Sequence, residues 1–241
     1  MPAFLVISAA TCALAEEEVD MHFRAFAIEP ADRVEWGSGH VTLGVERAIH
    51  RHADVDGKKH VRTATPMEWT IGLPGGFSVS LSREINAGMS GEQGWLPGER
   101  AERDVLLRYA MPLGGRTHLA LLAGASRTAG EKGTTVGYGM VGAFDSDFGH
   151  FGSGLAWGQK RDGEAHRPWE AGINWFHLLP SGWGPAAEVR WGRDGEGRAV
   201  GHQLFGVAWK VGRSVLLDIS AGQSVGAQQE KRLGLGVSWF Y

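Results

Sequence analysis

The sequence predicts an all-β fold, an antiparallel up-and-down transmembrane β-barrel of twelve strands. Large apolar side chains recur on alternate residues in twelve segments, and short and long connections between these segments strictly interleave. Successive side chains of a strand point to opposite faces, so this alternation gives each strand one apolar face. An even number of strands with short turns at one end and longer loops at the other is typical of a barrel that spans a membrane.

The composition agrees with this class. The chain has 241 residues, of which 37 are Gly and 10 are Trp, and this Gly content is roughly twice the average. A net charge of −3 gives no electrostatic case for nucleic acid as a partner. No segment approaches the ~18 consecutive apolar residues that a membrane helix requires, whereas a membrane strand needs only ~10 residues with one apolar face.

The first residues have the pattern of an export signal. Residues 3–15 are apolar or small, and Ala13-Leu14-Ala15 forms a cleavage site before three glutamates, which is typical of a secretory signal peptide. We therefore predict a signal peptide over residues 1–15, an N-terminal periplasmic lead or lumen segment over 16–39, and the barrel over 40–241. The single cysteine, Cys12, lies inside the predicted signal, so no disulfide framework is expected.

The twelve predicted strands begin after the polar lead. Their alternating apolar positions lie within residues 41–45, 67–73, 77–81, 105–111, 119–125, 136–144, 151–157, 169–175, 187–191, 205–211, 215–221 and 233–241. Short connections such as "PGG" and "LGG" alternate with long ones such as "NAGMSGEQGWLPGERAE" and "QSVGAQQEKR". In an outer-membrane barrel the short turns lie in the periplasm and the long loops lie outside, so the bacterial outer membrane is the predicted location.

The last strand, Leu233 to Tyr241, places its large apolar side chains on one face and Gly or Ser between them. An unpaired edge of this kind promotes aggregation, and barrel closure removes it. We expect the apolar face to contact outer-membrane lipids, and a terminal strand of this pattern resembles the signal recognised by the barrel-assembly machinery. Aromatic residues near the strand ends, among them Trp157, Trp169 and Trp191 on the outer side, predict two interfacial girdles.

Three stretches carry a family resemblance. The segment "EPADRVEWGSGHVTLGVER", the hairpin "PMEWTIGLPGGFSVSLS" and the last five strands resemble outer-membrane proteins grouped under the meta-pathway of phenol degradation. The likeness spans most of the mature chain and lies in pattern and glycine placement. Members of that group are described as transporters or channels, so the resemblance implies passage of small aromatic or hydrophobic solutes.

Two motifs suggest ligands, but neither has the required context. "GYGMVG" (residues 137–142) matches a dinucleotide fingerprint, yet its glycines lie inside a strand pattern with no helix behind them. We interpret Gly137, Gly139, Gly152, Gly154 and Gly158 as bare inner positions that leave space for a passage or a plug. "HRHADVDGKKH" imitates the start of a calcium loop without the later Glu, and we interpret it as a solvated external loop. No cofactor or metal is predicted.

Hydrolysis of membrane lipids is an alternative function, because some outer-membrane barrels are enzymes. It requires a Ser and a His on the outer face with an acid that orients the His. Ser38-Gly39-His40 precedes the first strand, and His150 and Ser153 are predicted on opposite faces. Since no triad emerges, we predict that the protein is not an enzyme.

The interior gives the candidate site. Inverting the lipid-facing set places a group of charged and His residues in the lumen as selectivity candidates: Glu46, Glu68, Glu84, Asp104, Arg108, His118, Glu188, Arg190 and Asp218. These side chains either line a polar passage with an acidic excess or form a salt-bridged plug. The predicted function is passive passage of a small-molecule solute, with a lipid-modifying hydrolase or a plugged structural or adhesive barrel as alternatives.

Overall fold

The computed structural model describes residues 31–51, 59–91, 94–96, 102–128, 134–159, 166–226 and 229–241. Thirteen strands and one short 3₁₀ turn occur in these residues. The strands are β1 (Gly39–Arg51), β2 (Lys59–Gly72), β3 (Phe77–Gly91), β4 (Gly94–Leu96), β5 (Glu102–Pro112), β6 (Thr117–Thr128), β7 (Thr135–Ser146), β8 (Gly149–Gly158), β9 (Trp169–Phe176), β10 (Trp183–Arg193), β11 (Ala199–Val211), β12 (Val215–Gly226) and β13 (Gln229–Phe240).

Twelve of these strands form a closed antiparallel barrel, which confirms the predicted class and strand number. Each of the twelve strands pairs with the next of the twelve along the chain, so that β3 pairs with β5. β1 closes the barrel by pairing with β13. The remaining strand, β4, has three residues and pairs only with the far end of β3. No helix in the described part of the chain has the length and apolarity of a helical membrane span.

The polarity of the two barrel faces is the reverse of that in a water-soluble protein. The outward positions expose large apolar side chains, such as Leu43, Leu107 and Ile219, while the buried positions include Thr70 and Glu188. Exposing so much contiguous apolar surface to water is unfavourable. The outer face is therefore a surface for the hydrocarbon region of a bilayer, as the alternation predicted.

The short turns, the start of β1 and the end of β13 lie at one end of the barrel, called here the short-turn end. Residues 74–76 connect β2 to β3 with Gly75 and Gly76 at φ of 79° and 86°, a left-handed conformation that Gly adopts without steric cost. A Cβ on Gly76 would also lie 2.8 Å from the carbonyl oxygen of Ala110. At the same end, Gly39 and Tyr241 exchange two backbone hydrogen bonds of 3.0 Å, which extends the β1–β13 closure to the last residue.

The opposite end, called the long-connection end, has longer strands than the sequence predicted. The stretch "QSVGAQQEKR" was expected as a loop, but Gln223 pairs with Lys231 and Ser224 with Glu230 in the β12–β13 ladder. Likewise, β3 continues to Gly91 and β4 folds back onto it. Ladder hydrogen bonds join backbone groups and do not require apolar side chains, so polar residues extend the hairpins beyond the predicted lipid-facing residues.

Aromatic side chains concentrate near the strand ends. At the short-turn end, the indoles of Trp183 and Trp209 stack with centroids 5.5 Å apart, and Phe77 lies 4.7 Å from Tyr109. At the long-connection end, Trp157 pairs in register with Trp169. These rings are exposed on the outer face, as expected of residues that position a barrel at the two membrane interfaces.

Two apolar clusters of buried residues narrow the short-turn half of the lumen. Their members are Phe176, Ala186, Ala208, Leu216 and Phe240 in one, and Ala31, Ala110, Ala120, Val141 and Ala143 in the other. Ala31 belongs to the chain that precedes β1 and is 1% exposed. This segment therefore enters the barrel and completes the second cluster. We call this narrowed region the closed half.

Candidate functional site

A cavity of about 650 Å³ occupies the lumen beyond the closed half, toward the long-connection end. One of its walls is polar and is formed by inward residues of β2, β3 and β5. These residues are Glu68, Ser80, Ser82 and Asp104. The cavity volume falls in the range of sites for single small organic molecules.

The adjoining part of the wall, from β5 to β8, is largely apolar. It combines the side chains of Leu106, Leu122 and Val141 with the bare backbone of Gly139 and Gly154. Gly137 and Gly158 also line the cavity, so four of the five glycines predicted as bare inner positions lie there. The fifth, Gly152, lies outside it, where a Cβ would overlap the Asn174 amide.

Glu68 is held by a small hydrogen-bonding network at the polar wall. Its Oε1 accepts a hydrogen bond of 2.8 Å from the hydroxyl of Thr70, and His40 Nε2 lies 3.4 Å from the same oxygen. The hydroxyls of Thr70 and Ser80 are 2.7 Å apart. These contacts fix the carboxylate at the cavity surface, because each partner is itself on a paired strand.

Asp104 of this wall and Glu84, which lies beyond the wall, each contact a residue of a neighbouring strand. Ser82 on β3 donates a hydrogen bond of 3.1 Å to Asp104 Oδ2 on β5. Glu84 follows Ser82 by two residues on β3 and lies nearer the long-connection end. It forms an ion pair with Arg62 on β2. The polar wall thus presents two carboxylates that accept hydroxyl hydrogen bonds, with an ion pair beyond them.

Three further predicted residues, Arg190 and Glu188 on β10 and Glu46 on β1, take part in compact ion pairs. Arg190 contacts Glu170 Oε1 at 2.6 Å through Nη1 and Glu188 Oε1 at 2.9 Å through Nε. Glu46 lies 3.4 Å from Arg232, which also contacts Glu230 at 2.9 Å. Pairing of this kind is what a charge facing a narrow barrel interior requires.

Two further predicted residues are deeply buried. Arg108 is 1% exposed and pairs in register with Ser78, one inward position nearer the short-turn end than Leu106. Asp218 is also buried, on β12 between the inward positions of Leu216 and Ser220. Both therefore belong to the closed half rather than to the cavity wall.

His118, the last predicted residue, lies in a cluster that sequence reasoning did not assemble. It contacts Asp145 Oδ2 at 3.2 Å and Asp32 Oδ1 at 3.7 Å, and His150 contacts the same two acids. Burial raises the pKa of Asp32, while His150, His118 and Arg108 act in the opposite direction. Asp32 gave no signal in the sequence because it precedes the first strand and follows no periodic pattern.

The Ser and His that the hydrolase alternative considered on β8 do not come together. Ser153 lies on the outer face, where its hydroxyl contacts the Gly142 carbonyl at 3.5 Å, while His150 points inward to the acids. The two side chains thus lie on opposite faces of β8, as the strand period predicted. The loop residues His50, His52 and His60 were interpreted as solvated; their side chains lie outside the described residues.

Comparisons with known proteins extend these observations. No protein-family model and no curated protein sequence matches the chain. Among solved structures, an outer membrane channel from Pseudomonas putida F1 matches with a TM-score of 0.62 at 11% identity, over 89% of this chain and 100% of that chain. The KdgM porin matches with a TM-score of 0.59 at 7% identity, over 83% and 99% of the two chains.

A third structure, the CymD monoaromatic hydrocarbon channel, matches with a TM-score of 0.50 at 9% identity, over 86% of this chain and 88% of that chain. At these identities the likeness concerns the fold. The chain thus has the fold of outer-membrane porins and channels, and this fold agrees with its apolar outer face.

Proposed function

We propose that the protein is a bacterial outer-membrane channel for the passive passage of small molecules. The observation that carries this function is the 650 Å³ cavity inside a closed, lipid-facing barrel. The similar structures support it, since they include a porin and a monoaromatic hydrocarbon channel.

The two cavity walls define the class of solute. The carboxylates of Glu68 and Asp104 favour a cationic or polar neutral group, because rings and patches of acids concentrate cations at a pore wall. The adjoining surface of Leu106, Leu122 and Val141 suits an apolar body. A small aromatic compound with a cationic or neutral polar group satisfies both walls, in line with the resemblance to the phenol-degradation group.

Single-channel recording of the refolded protein in a planar bilayer tests this proposal. Folding is checked beforehand by heat-modifiable migration in gel electrophoresis. We expect discrete conductance steps and a cation-selective reversal potential across a salt gradient. In bi-ionic recordings, trimethylphenylammonium should permeate more readily than benzenesulfonate.

The double variant Glu68→Gln/Asp104→Asn should move the reversal potential toward zero. The matched control is Asp147→Asn, which removes one charge from an exposed turn outside the cavity. Anion selectivity in the wild type, or no response to the double variant, would refute the role of the acidic wall.

A closed structural barrel is the second candidate, because two apolar clusters narrow the lumen at the short-turn end. It predicts a folded protein that gives no conductance steps under any salt condition. That outcome would replace the channel by a barrel whose exposed connections carry its role.

A further inference from the structure

Four metal-ligating side chains meet inside the barrel at the short-turn end. They are Asp32 of the segment before β1, His118 of β6, Asp145 of β7 and His150 of β8. One donor atom from each of Asp32, Asp145 and His150 can be chosen so that all three lie within 4.8 Å of one another. His118 Nε2 is 3.2 Å from Asp145 and 3.7 Å from Asp32, which places a fourth donor at the same two carboxylates.

The barrel ladder brings the three strand residues together. Asp145 pairs in register with His150 across the β7–β8 hairpin, and His118 pairs with Ala143, the inward neighbour of Asp145. All three side chains belong to the inward set of their strands. Asp32 reaches them because Ala31, next to it, packs into the apolar cluster on β5, β6 and β7.

We propose that these four residues form a binding site for a divalent transition-metal ion of the zinc class. Two imidazole nitrogens and two carboxylates are a common ligand set for zinc, at bond lengths of about 2.0–2.2 Å. Tetrahedral donors at such bond lengths lie roughly 3.3 Å apart. Three separations are near this spacing: 3.2 Å from His118 Nε2 to Asp145 Oδ2, 3.7 Å from His118 Nε2 to Asp32 Oδ1, and 3.6 Å from His150 Nε2 to Asp32 Oδ2.

The charges and donor atoms of the four side chains narrow the choice of metal ion. Two carboxylates balance a divalent charge, and imidazole suits zinc, copper and nickel, whereas calcium and magnesium take oxygen donors. His150 offers either ring nitrogen to the ion: Nε2 lies 3.6 Å from Asp32 Oδ2, and Nδ1 lies 2.8 Å from Asp145 Oδ1.

The bound ion would connect two separate parts of the chain. Asp32 is the ligand from the segment before β1, and the other three ligands belong to the barrel wall. Metal binding therefore fixes this segment inside the lumen, in the closed half. Loss of the ion would leave the described part of this segment held by the apolar contacts of Ala31, the ionic contacts of Asp32 and the backbone contacts of residues 36 and 37 with Gly72.

Zinc titration of the full chain tests the site. The protein is refolded in detergent micelles, stripped with a chelator and titrated with Zn²⁺ by calorimetry. His150→Gln and Asp145→Asn should each weaken one binding event by at least about tenfold, the scale on which even supporting contacts affect metal affinity. His177→Gln is the control, because His177 stacks on Trp175 outside the cluster and should leave binding unchanged.

Two measurements keep the test decisive if a variant fails to fold. Co²⁺ bound to the wild type should show the intense visible absorption of tetrahedral coordination, which octahedral loop sites lack. Zn²⁺ should also protect His118 and His150 from diethyl pyrocarbonate, as read by mass spectrometry. A folded wild type without a tight Zn²⁺ event, or with both histidines fully reactive in Zn²⁺, would overturn the proposal and leave an ion-paired cluster.

Discussion

The two halves of the lumen share one strand pattern but differ in what occupies their inward positions. In the closed half these positions carry Phe176, Leu216, Phe240 and Arg108, which are all buried. In the cavity half they carry Gly137, Gly139 and Gly154 on one wall, and about 650 Å³ stays open. The outward alternation is the same in both halves. The size of the inward side chains therefore distinguishes the narrow half of this barrel from the open one.

The largest expected effect is at Arg108, in the closed half. Arg108 acts electrostatically on neighbouring acids such as Asp32. Arg108→Met removes this buried cation from beside them. Removing one partner of a buried charge pair costs about 3–5 kcal/mol. We expect a loss of this size in urea unfolding in micelles, followed by tryptophan fluorescence.

Arg83→Met is the matched control for this substitution, because Arg83 is exposed and exposed changes usually stay within about 0.5 kcal/mol. Equal losses in the two variants would mean that Arg108 is not part of a tightly packed half.

A second pair of variants compares the two faces of β12. Leu216 is fully buried in the closed half and Leu217 is exposed on the outer face. Leu216→Ala should cost about 2–5 kcal/mol, because it leaves a cavity among packed side chains. Leu217→Ala should cost less, since detergent fills the space of the deleted atoms. A larger loss at Leu217, measured by the same unfolding assay, would reverse the assigned faces.

The same glycine substitution in each half sharpens the comparison. A Cβ on Gly184 would lie 2.7 Å from the Phe176 ring and 2.9 Å from the His177 carbonyl oxygen. Gly184→Val should therefore destabilise by about 1–3 kcal/mol through overpacking. On Gly137 the nearest atom would be 3.7 Å away, so Gly137→Val should fold normally and lower the conductance. Comparable stability losses at both sites would show that the cavity half is packed as tightly as the closed half.

The smallest effect concerns the connection between β10 and β11. Partial burial acts to raise the pKa of Asp194. Hydrogen bonds from the backbone of Arg198 and Glu196 and from the Arg198 guanidinium outweigh this effect and lower the pKa. The stabilisation is present above the ordinary Asp pKa of about 4 and is lost as the pH falls through the folded-state pKa. Cleavage of residues 194–198 by pepsin should increase over that range in the wild type and be high throughout in Asp194→Asn.

Much of the barrel could be predicted because the membrane imposes a simple rule on each strand. Outward residues such as Leu107 and Ile219 must be apolar over the hydrocarbon region, and this produced the strand count and the faces. The ends of the strands could not be read in the same way. Past Ala221 and Leu233 the β12–β13 ladder continues through Gln223–Lys231 and Ser224–Glu230, and backbone pairing leaves no periodic trace in these polar residues.

The candidate site was less predictable, because contacts between strands distant in sequence determine it. The sequence placed Glu68, Asp104 and Arg108 on inward positions, but it did not separate the cavity acids from the buried Arg108. The cluster around Asp32 was also missed. Asp32 acquires its role from the packing of Ala31 against β5, β6 and β7, which no local pattern encodes.

We infer that the segment before β1, which packs among the strands of the closed half, narrows the passage that the strand side chains leave. Single-channel conductance of a chain lacking residues 16–36, compared with the full mature chain, tests it most directly. The strands from Gly39 onward are retained, and folding is verified by heat-modifiable migration. We predict a conductance several times larger in the shortened chain, with cation selectivity retained because Glu68 and Asp104 remain. Equal conductance in the two folded proteins would contradict the account.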